Sequence, residues 1–359
     1  MGLNCGLVGL PYCGKTTIFN AITVAGVASY NGSEMNHAVV NVPDQRITRL
    51  VGIYHPAKVV SATLEVVDIP GLKTGSTVGE GWGSRLLGYI KDADALLYVV
   101  RCFEDGSIPF EYSTVDPARD VETIDFELMV ADSQTLQKKI ERLAKKALKD
   151  EDVARQVNNC RRVLNALQEG TPARKQSLND EELASIRECN LLSLKPVLYI
   201  ANIKNMGDAS GVYVGALQSI AATEGSEVVV VCGRDEAEIG ELDFEDRLEF
   251  MLSFGLEESS MERLLCAAYK RLGLINFFTA GETEVHAWTC RRDDSAPVAA
   301  GKIHSDMEKG FIRMEVIRYD DLVELGSESA VLRAGKHRVV GKNYEVQEGD
   351  IVIVLFNPA

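Results

Sequence analysis

No apolar run in this chain approaches the ~20 residues that cross a bilayer, although 46% of its 359 residues are hydrophobic. The opening run, residues 3–10, lacks the charged flank, apolar core and cleavage site of a secretory signal. Gly6 stands where a myristoylated Met-Gly start needs Ser or Thr. A cytoplasmic protein with no membrane partner is therefore expected. The eight cysteines are scattered singly and none forms a C-x-x-C pair, which argues against a zinc site or a disulfide framework. Several lie inside apolar runs and are expected as buried thiols in a reducing compartment. Positive charge is scarce: 38 Lys and Arg against 53 Asp and Glu leave a net charge of −15. That excludes wholesale coating of nucleic acid and leaves room for a local basic patch. Internal repeats and low-complexity tracts are absent too. The length exceeds one ordinary core, so two or three domains are expected.

Strand-like runs at Asn4–Val8, 62–69, 95–102, 197–201 and 227–232 are nearly continuous in Val, Ile, Leu and Ala. Such runs suit parallel strands buried on both faces. Their alternation with helical stretches implies right-handed crossovers and a doubly wound α/β sheet. Between 124 and 194 the text becomes helical and charged, with Ile140, Leu143, Ala144 and then Val153, Val157, Val163, Leu164 and Leu167 at helical spacing. The charged segment 149–152 separates the two runs, and Gly170-Thr171-Pro172 ends the second, so an inserted antiparallel helical hairpin is expected. After about residue 278 a small mixed sheet of roughly eighty residues is expected as a separate module.

The chemistry concentrates in Gly9-Leu10-Pro11-Tyr12-Cys13-Gly14-Lys15-Thr16, which fits G-x-x-x-x-G-K-[ST] between a strand and a helix. Glycines let backbone N–H groups turn around phosphates, and the following helix N-terminus favours anions. Lys15, expected as an exposed charge, supplies a cation to the β and γ oxygens, and the Thr16 hydroxyl a ligand to Mg2+. Asp68-Ile69-Pro70-Gly71 places a carboxylate at the end of the next buried strand, where it meets the same metal, and Gly71 can offer its N–H to a γ-phosphate. Thr16 and Asp68 are thus the expected metal ligands, and Lys15, Asp68 and Gly71 the expected catalytic groups. The residue after Gly71 is Leu72, which has no polar atom to orient an attacking water.

Base-reading residues are expected after the run 197–201, where Asn202-Ile203-Lys204-Asn205 stands. GTPases end this segment in Asp, whose carboxylate accepts both guanine donors. Asn205 has one acceptor oxygen, so adenine becomes at least as plausible. The expected nucleotide contacts are Gly9, Pro11, Tyr12, Cys13, Gly14, Lys15, Thr16, Thr17, Asn202, Ile203, Asn205, Cys232 and Gly233. The ligand is ATP or GTP.

The chain resembles the YchF/Obg-like ATPases, translation-associated P-loop proteins. The resemblance runs through Gly9–Thr17, Asp68–Leu72, Gly79-Glu80-Gly81, Arg101-Cys102-Phe103-Glu104, Lys195-Pro196, Tyr199–Asn202, Phe278-Thr279-Ala280-Gly281 and Ala287-Trp288-Thr289. It is most specific in Ala300-Gly301-Lys302-Ile303-His304-Ser305-Asp306 and Glu308–Arg313. It implies a P-loop domain at 1–125 and 195–277, an inserted α-helical coiled-coil arm at 126–194 and a C-terminal β-grasp (TGS) domain at 278–359. It also implies a preference for ATP, slow hydrolysis and association with ribosomes. The chain departs from the family pattern in three places. Asn205 replaces Glu, Gly32 or Ser33 stands where a switch Thr is expected, and Phe110 occupies the position of a catalytic His. His37, in the same switch stretch, is a candidate substitute for a catalytic group, whereas His286 and His304 are expected to be structural or surface residues. Lys138, Lys139, Arg142, Lys145, Lys146 and Lys149 form either an edge that follows ribosomal RNA phosphates or a solvated face balanced by acids. A monomer is expected. Two functions stay open: a slow ATPase, or a nucleotide-gated adaptor that binds ribosomes and barely hydrolyses.

Overall fold

The structure, a computed structural model, describes residues 3–25, 29–30, 36–70, 82–109, 112–242 and 258–357. The chain divides into two compact units, Met1–Val40 with Glu65–Ala268 and Asn41–Leu64 with Tyr269–Ala359.

The first unit is built on the sheet β1 (Asn4–Val8), β2 (Ser29–Tyr30), β3 (Asn36–Asn41), β5 (Thr63–Asp68), β6 (Ala95–Arg101), β7 (Val197–Asn202) and β8 (Val228–Val231), in the order β2-β3-β5-β1-β6-β7-β8. The strand numbered β4 (Lys58–Val60) belongs to the other unit. β1 pairs in parallel with β5 and β6, and β7 with β6 and β8, while β2 and β3 form an antiparallel edge. Every residue of β6 and β7 is buried, as a central parallel strand covered on both faces must be. This is the P-loop GTPase type of α/β fold, and the five strand runs read from the sequence all lie in this sheet.

Helices α1 (Lys15–Ala25), α3 (Trp82–Asp92), α7 (Val212–Thr223) and α8 (Gly233–Glu241) follow β1, β5, β7 and β8 along the chain; α2 (Gln45–Tyr54) lies in the second unit. Between β6 and β7 come α4 (Pro117–Ala147), α5 (Glu151–Gln168) and α6 (Asp180–Ile186). Asp116 caps α4 by accepting from the N–H groups of Ala118 and Arg119, with Pro117 at the first position, where its missing N–H costs nothing. Asp150 caps α5 in the same way, so a three-residue turn folds α5 back along α4. Their shared core is Met129, Leu136, Cys160, Val163, Leu164 and Leu167. Gly170 lies just past α5 at φ 85°, where the lack of a Cβ lets the chain turn away.

Two anchors join these helices to the sheet. Asp132 accepts the backbone N–H groups of Leu192 and Ser193 and the Ser193 hydroxyl, returning the chain to β7. Arg174 bridges Asp125 of α4 and Glu224 after α7, at 2.7 and 2.8 Å. The Tyr98 and Tyr199 hydroxyls, from β6 and β7, donate to the same two carboxylates.

The second unit holds a six-stranded mixed sheet, β12 (Arg338–Val340), β11 (Phe311–Arg318), β13 (Asp350–Phe356), β9 (Leu274–Ala280), β10 (Glu284–Arg291) and β4, in that order. One face packs Ile275, Phe277, Met314, Val316 and Val352 under the helix Ala296–Ile303. The sequence reading began this module at residue 278 and gave 41–64 to the nucleotide domain. In the structure β9 begins at Leu274, and β4 joins β10 as a parallel edge strand. α2 is held nearby: Asp44 accepts from Asn276 at 3.0 Å, and the Arg46 guanidinium sits 5.2 Å over the Phe278 ring. His286 stacks on Trp288, and the exposed His304 ring accepts the Asp306 N–H to cap a short helix. Among the described residues no helix is long and apolar enough to cross a membrane.

Candidate functional site

At the carboxyl end of β1 the chain loops through residues 9–14 and enters α1 at Lys15. The loop is close-packed. A Cβ on Gly9 would lie 2.6 Å from the Val99 carbonyl oxygen and the Cys13 sulfur. Gly14 adopts φ 97°, and a Cβ there would run into the Asn202 amide. Tyr12 also takes a left-handed conformation, φ 63°, which puts its ring out into solvent.

Lys15, Thr16 and Asp68 come together here. The Thr16 hydroxyl donates to Asp68 Oδ2 at 3.1 Å, and Asp68 Oδ1, itself buried, has no hydrogen-bond partner among the described residues. Lys15 is not the exposed charge expected from the sequence: it is only 8% exposed, and among the described residues no carboxylate pairs with it. A buried cationic side chain at Lys15 and an orphaned carboxylate oxygen on Asp68 are two costs with opposite signs. An anion resolves the first and a cation the second. A phosphate carrying a divalent metal supplies both, and hydroxyl plus carboxylate oxygens are the hard donors that Mg2+ takes. Thr16 and Asp68 would hold that ion, which would polarise the phosphate oxygens as a Lewis acid.

Asn202 ties this loop to the neighbouring strand ends. Its amide donates to the Cys13 carbonyl at 2.8 Å and accepts the Gly233 N–H at 3.2 Å. It thereby spans from the phosphate loop to the first turn of α8. Ile203 continues the chain by donating its N–H to the Val231 carbonyl. Cys232 donates its thiol to the Lys204 carbonyl, and burial pushes that thiol up to about 11. Cys13 is likewise raised by burial, so both cysteines are structural thiols rather than nucleophiles.

Beside the loop lies a cavity of about 290 Å³ whose walls include Tyr12, Gly14, Thr17, Phe103, Asn202 and Ile203. It sits outside the carboxyl ends of β6 and β7, where ligands enter open α/β sheets. The sequence reading missed the cavity's far wall. Arg101, buried at the end of β6, donates to the carbonyls of Phe103 and Asp105 and fixes that loop. Lys204 and Asp105 pair at 3.0 Å, and hydrogen bonds from Ser107, reinforced by Lys204, hold the Asp105 carboxyl well below the usual range. The signal available was position: each residue ends a buried strand or follows its carboxyl end.

Asn205, one of the expected contacts, stands beside this cavity, 3.5 Å from Arg234. It is exposed, and it is not part of the cavity wall. His37 is remote. It pairs with Glu65 at 3.1 Å, three residues before Asp68 on β5, which places it ~10 Å back along the strand. Gly71, Leu72, Gly32, Ser33 and Phe110 lie outside the described residues.

A protein of Haemophilus influenzae named ribosome-binding ATPase YchF is 42% identical to this chain over 362 residues, covering 99% of this chain and all of that one. The chain belongs to the YchF family. The YchF proteins of Escherichia coli O157:H7 and Bacillus subtilis match at 44% and 41% identity, again over 99% of this chain and 100% of theirs. A family described as 50S ribosome-binding GTPase matches residues 4–153, and the YchF GTPase C-terminal family, described as a protein of unknown function, matches 274–357. The solved structure of the Schizosaccharomyces pombe YchF GTPase superposes with a TM-score of 0.88 at 31% identity, covering 99% of this chain and 98% of that one.

Proposed function

We propose that the chain is a slow, magnesium-dependent ATPase that also accepts GTP and couples nucleotide state to ribosome association. The observation that carries the reading is the group Lys15, Thr16 and Asp68, a buried cation and an orphaned carboxylate oxygen that a metal-bearing phosphate would satisfy together. The relatives named ribosome-binding ATPase support the ribosome and the nucleotide. In this reading Lys15 and the loop N–H groups bind and orient the phosphates, and Gly71 offers an N–H to the γ-phosphate. Asn202 keeps the phosphate loop and the α8 turn in register, and Gly9, Pro11, Tyr12, Cys13, Gly14 and Thr17 complete the cradle. Ile203, Cys232 and Gly233 back the base cavity.

α4 and α5 act as the coiled-coil arm and the second unit as the β-grasp TGS domain, the two parts that meet ribosomal RNA or protein. The arm's cations are unequal. Lys139 is buried against the Ser185 carbonyl and Glu188, and Arg142 pairs with Glu188 at 2.8 Å. Lys138, Lys145 and Lys149 are exposed and are the ones available to phosphates. The protein acts in the cytoplasm as a monomer.

Calorimetric titration with both nucleotides and magnesium is expected to give ATP at least as tight as GTP. A GTP affinity tenfold higher, about 1.4 kcal/mol, would sink the ATPase reading. Single-turnover hydrolysis is expected to be slow, below about 1 per second, since Leu72 cannot position water and Phe110 stands at the family's His position. Phe110→His is expected to raise that rate, water-positioning or base help being worth ~100- to 10,000-fold at full effect. An unchanged rate favours the adaptor, in which binding alone gates the partner.

A further inference from the structure

The base cavity carries a cation with no counterpart among the expected contacts. Arg234, second residue of α8, contributes to its wall. Its Nη2 stands 3.5 Å from Asn205 Oδ1, while Asn205 Nδ2 faces Asp208 Oδ2 at 3.4 Å. A cation on one side and a carboxylate on the other fix which way this amide points, oxygen to Arg234 and nitrogen to Asp208. Asn205 is thereby a brace beside the cavity, and Arg234 is the group that it steers. The guanidinium is well exposed, and among the described residues the one carboxylate within ion-pair distance, Asp235, is 3.7 Å from Nε, too far for a hydrogen bond, so the donors of its planar fork that do not face Asn205 remain available to a ligand.

A guanidinium carries only donors, set in a rigid fork. Guanine presents two adjacent acceptors, O6 and N7, that match the fork. Adenine presents N7 beside a donating amino group on the same edge. A fork of donors therefore gains two bonds on guanine and meets a donor on adenine. We propose that Arg234 is a base-selecting residue that favours guanine and keeps GTP binding close to ATP binding in a pocket without the usual carboxylate. The inference rests on the cavity being the base site, as proposed above.

The test is calorimetric titration of the full chain with magnesium ATP and magnesium GTP, for the unchanged protein, Arg234→Ala and Arg234→Lys. The exposed side chain can be removed without disturbing a core, and ATP binding reports that the site survives. In Arg234→Ala the GTP dissociation constant is expected to rise about fivefold or more, the low end for one bidentate base contact, with ATP changed by less than about twofold. Arg234→Lys keeps the charge and loses the fork, and is expected to lose most of the same GTP affinity. Equal weakening of both nucleotides in Arg234→Ala would assign the charge to the phosphates and overturn the inference, as would no change in either. Full GTP affinity in Arg234→Lys would also overturn it, because point charge alone would then suffice. If the unchanged protein binds neither nucleotide, the nucleotide-site reading fails first and takes this inference with it.

Discussion

Lys15→Ala is expected to reduce ATP affinity by at least about a hundredfold while leaving the fold as stable as before, or slightly more so. Losing one partner of a desolvated charge pair costs ~2–5 kcal/mol in binding, and a hundredfold is about 2.7 kcal/mol. The stability half of the expectation follows from burial. Lys15 is 8% exposed and, among the described residues, meets no carboxylate. Among the described residues this buried side chain has no compensating carboxylate, so removing its charge is expected to be neutral or stabilising. Calorimetry with magnesium ATP measures the first quantity, and a urea midpoint followed by far-UV circular dichroism measures the second. Unchanged ATP binding would mean that Lys15 does not face the phosphates, and the nucleotide site would have to be sought elsewhere. Lost binding accompanied by a large fall in the urea midpoint would make Lys15 a structural residue.

Sequence and structure agree where the signal is local. The strand–loop–helix around Gly9–Thr16 is legible because each part is contiguous and each glycine has its own steric reason. The strands β1, β5, β6, β7 and β8 are legible because burial on both faces leaves an unbroken apolar run. The turn between α4 and α5 is legible from the charged break at 149–152, which contains the capping residue Asp150. The parts that were missed depend on partners distant in sequence. β4 is three residues long and mostly exposed, too short to show a period, and only its ladder with β10 makes it a strand. The placement of 41–64 with the C-terminal sheet follows from that ladder and from Asp44 and Arg46, whose partners Asn276, Phe278 and Glu348 lie more than two hundred residues on. In the site, Asn205 was expected to read the base because its segment follows a buried strand. Its amide is instead turned between Asp208 and Arg234, and Arg234 arrives from a different helix. A sequence motif predicts which segment reaches a cavity more securely than which side chain faces it.

Arg174→Ala is expected to destabilise the first unit by about 3 kcal/mol, the low end for breaking a buried ion pair. Arg174, Asp125 and Glu224 have side chains 6%, 5% and 3% exposed, so the variant leaves two carboxylates facing each other across a dry gap. The low end applies because Lys175 still reaches Glu224 at 2.7 Å and the Tyr98 and Tyr199 hydroxyls still donate. The pH dependence has a definite sign. Burial alone would raise the Glu224 carboxyl, but hydrogen bonds and attraction from Arg174, with Lys175 and Tyr199, outweigh it and hold the group below its usual value. A carboxyl depressed on folding contributes stability above its unfolded value, ~4.3, and loses it as pH falls through the folded value. With Arg174 gone the desolvation cost of Glu224 is no longer offset to the same extent, so its folded-state value rises. The stability gap between Arg174→Ala and the unchanged protein should then be widest near neutral pH and narrow as pH falls through about 4. Urea midpoints from far-UV circular dichroism across that range measure it, the long helices α4 and α5 dominating the signal. A constant gap would mean that lost packing of the Arg174 stem, rather than stranded charge, sets the cost. A gap near zero at neutral pH would remove this network as the anchor between the helical insertion and the sheet, leaving Asp132 and its three bonds to Leu192 and Ser193 to hold it.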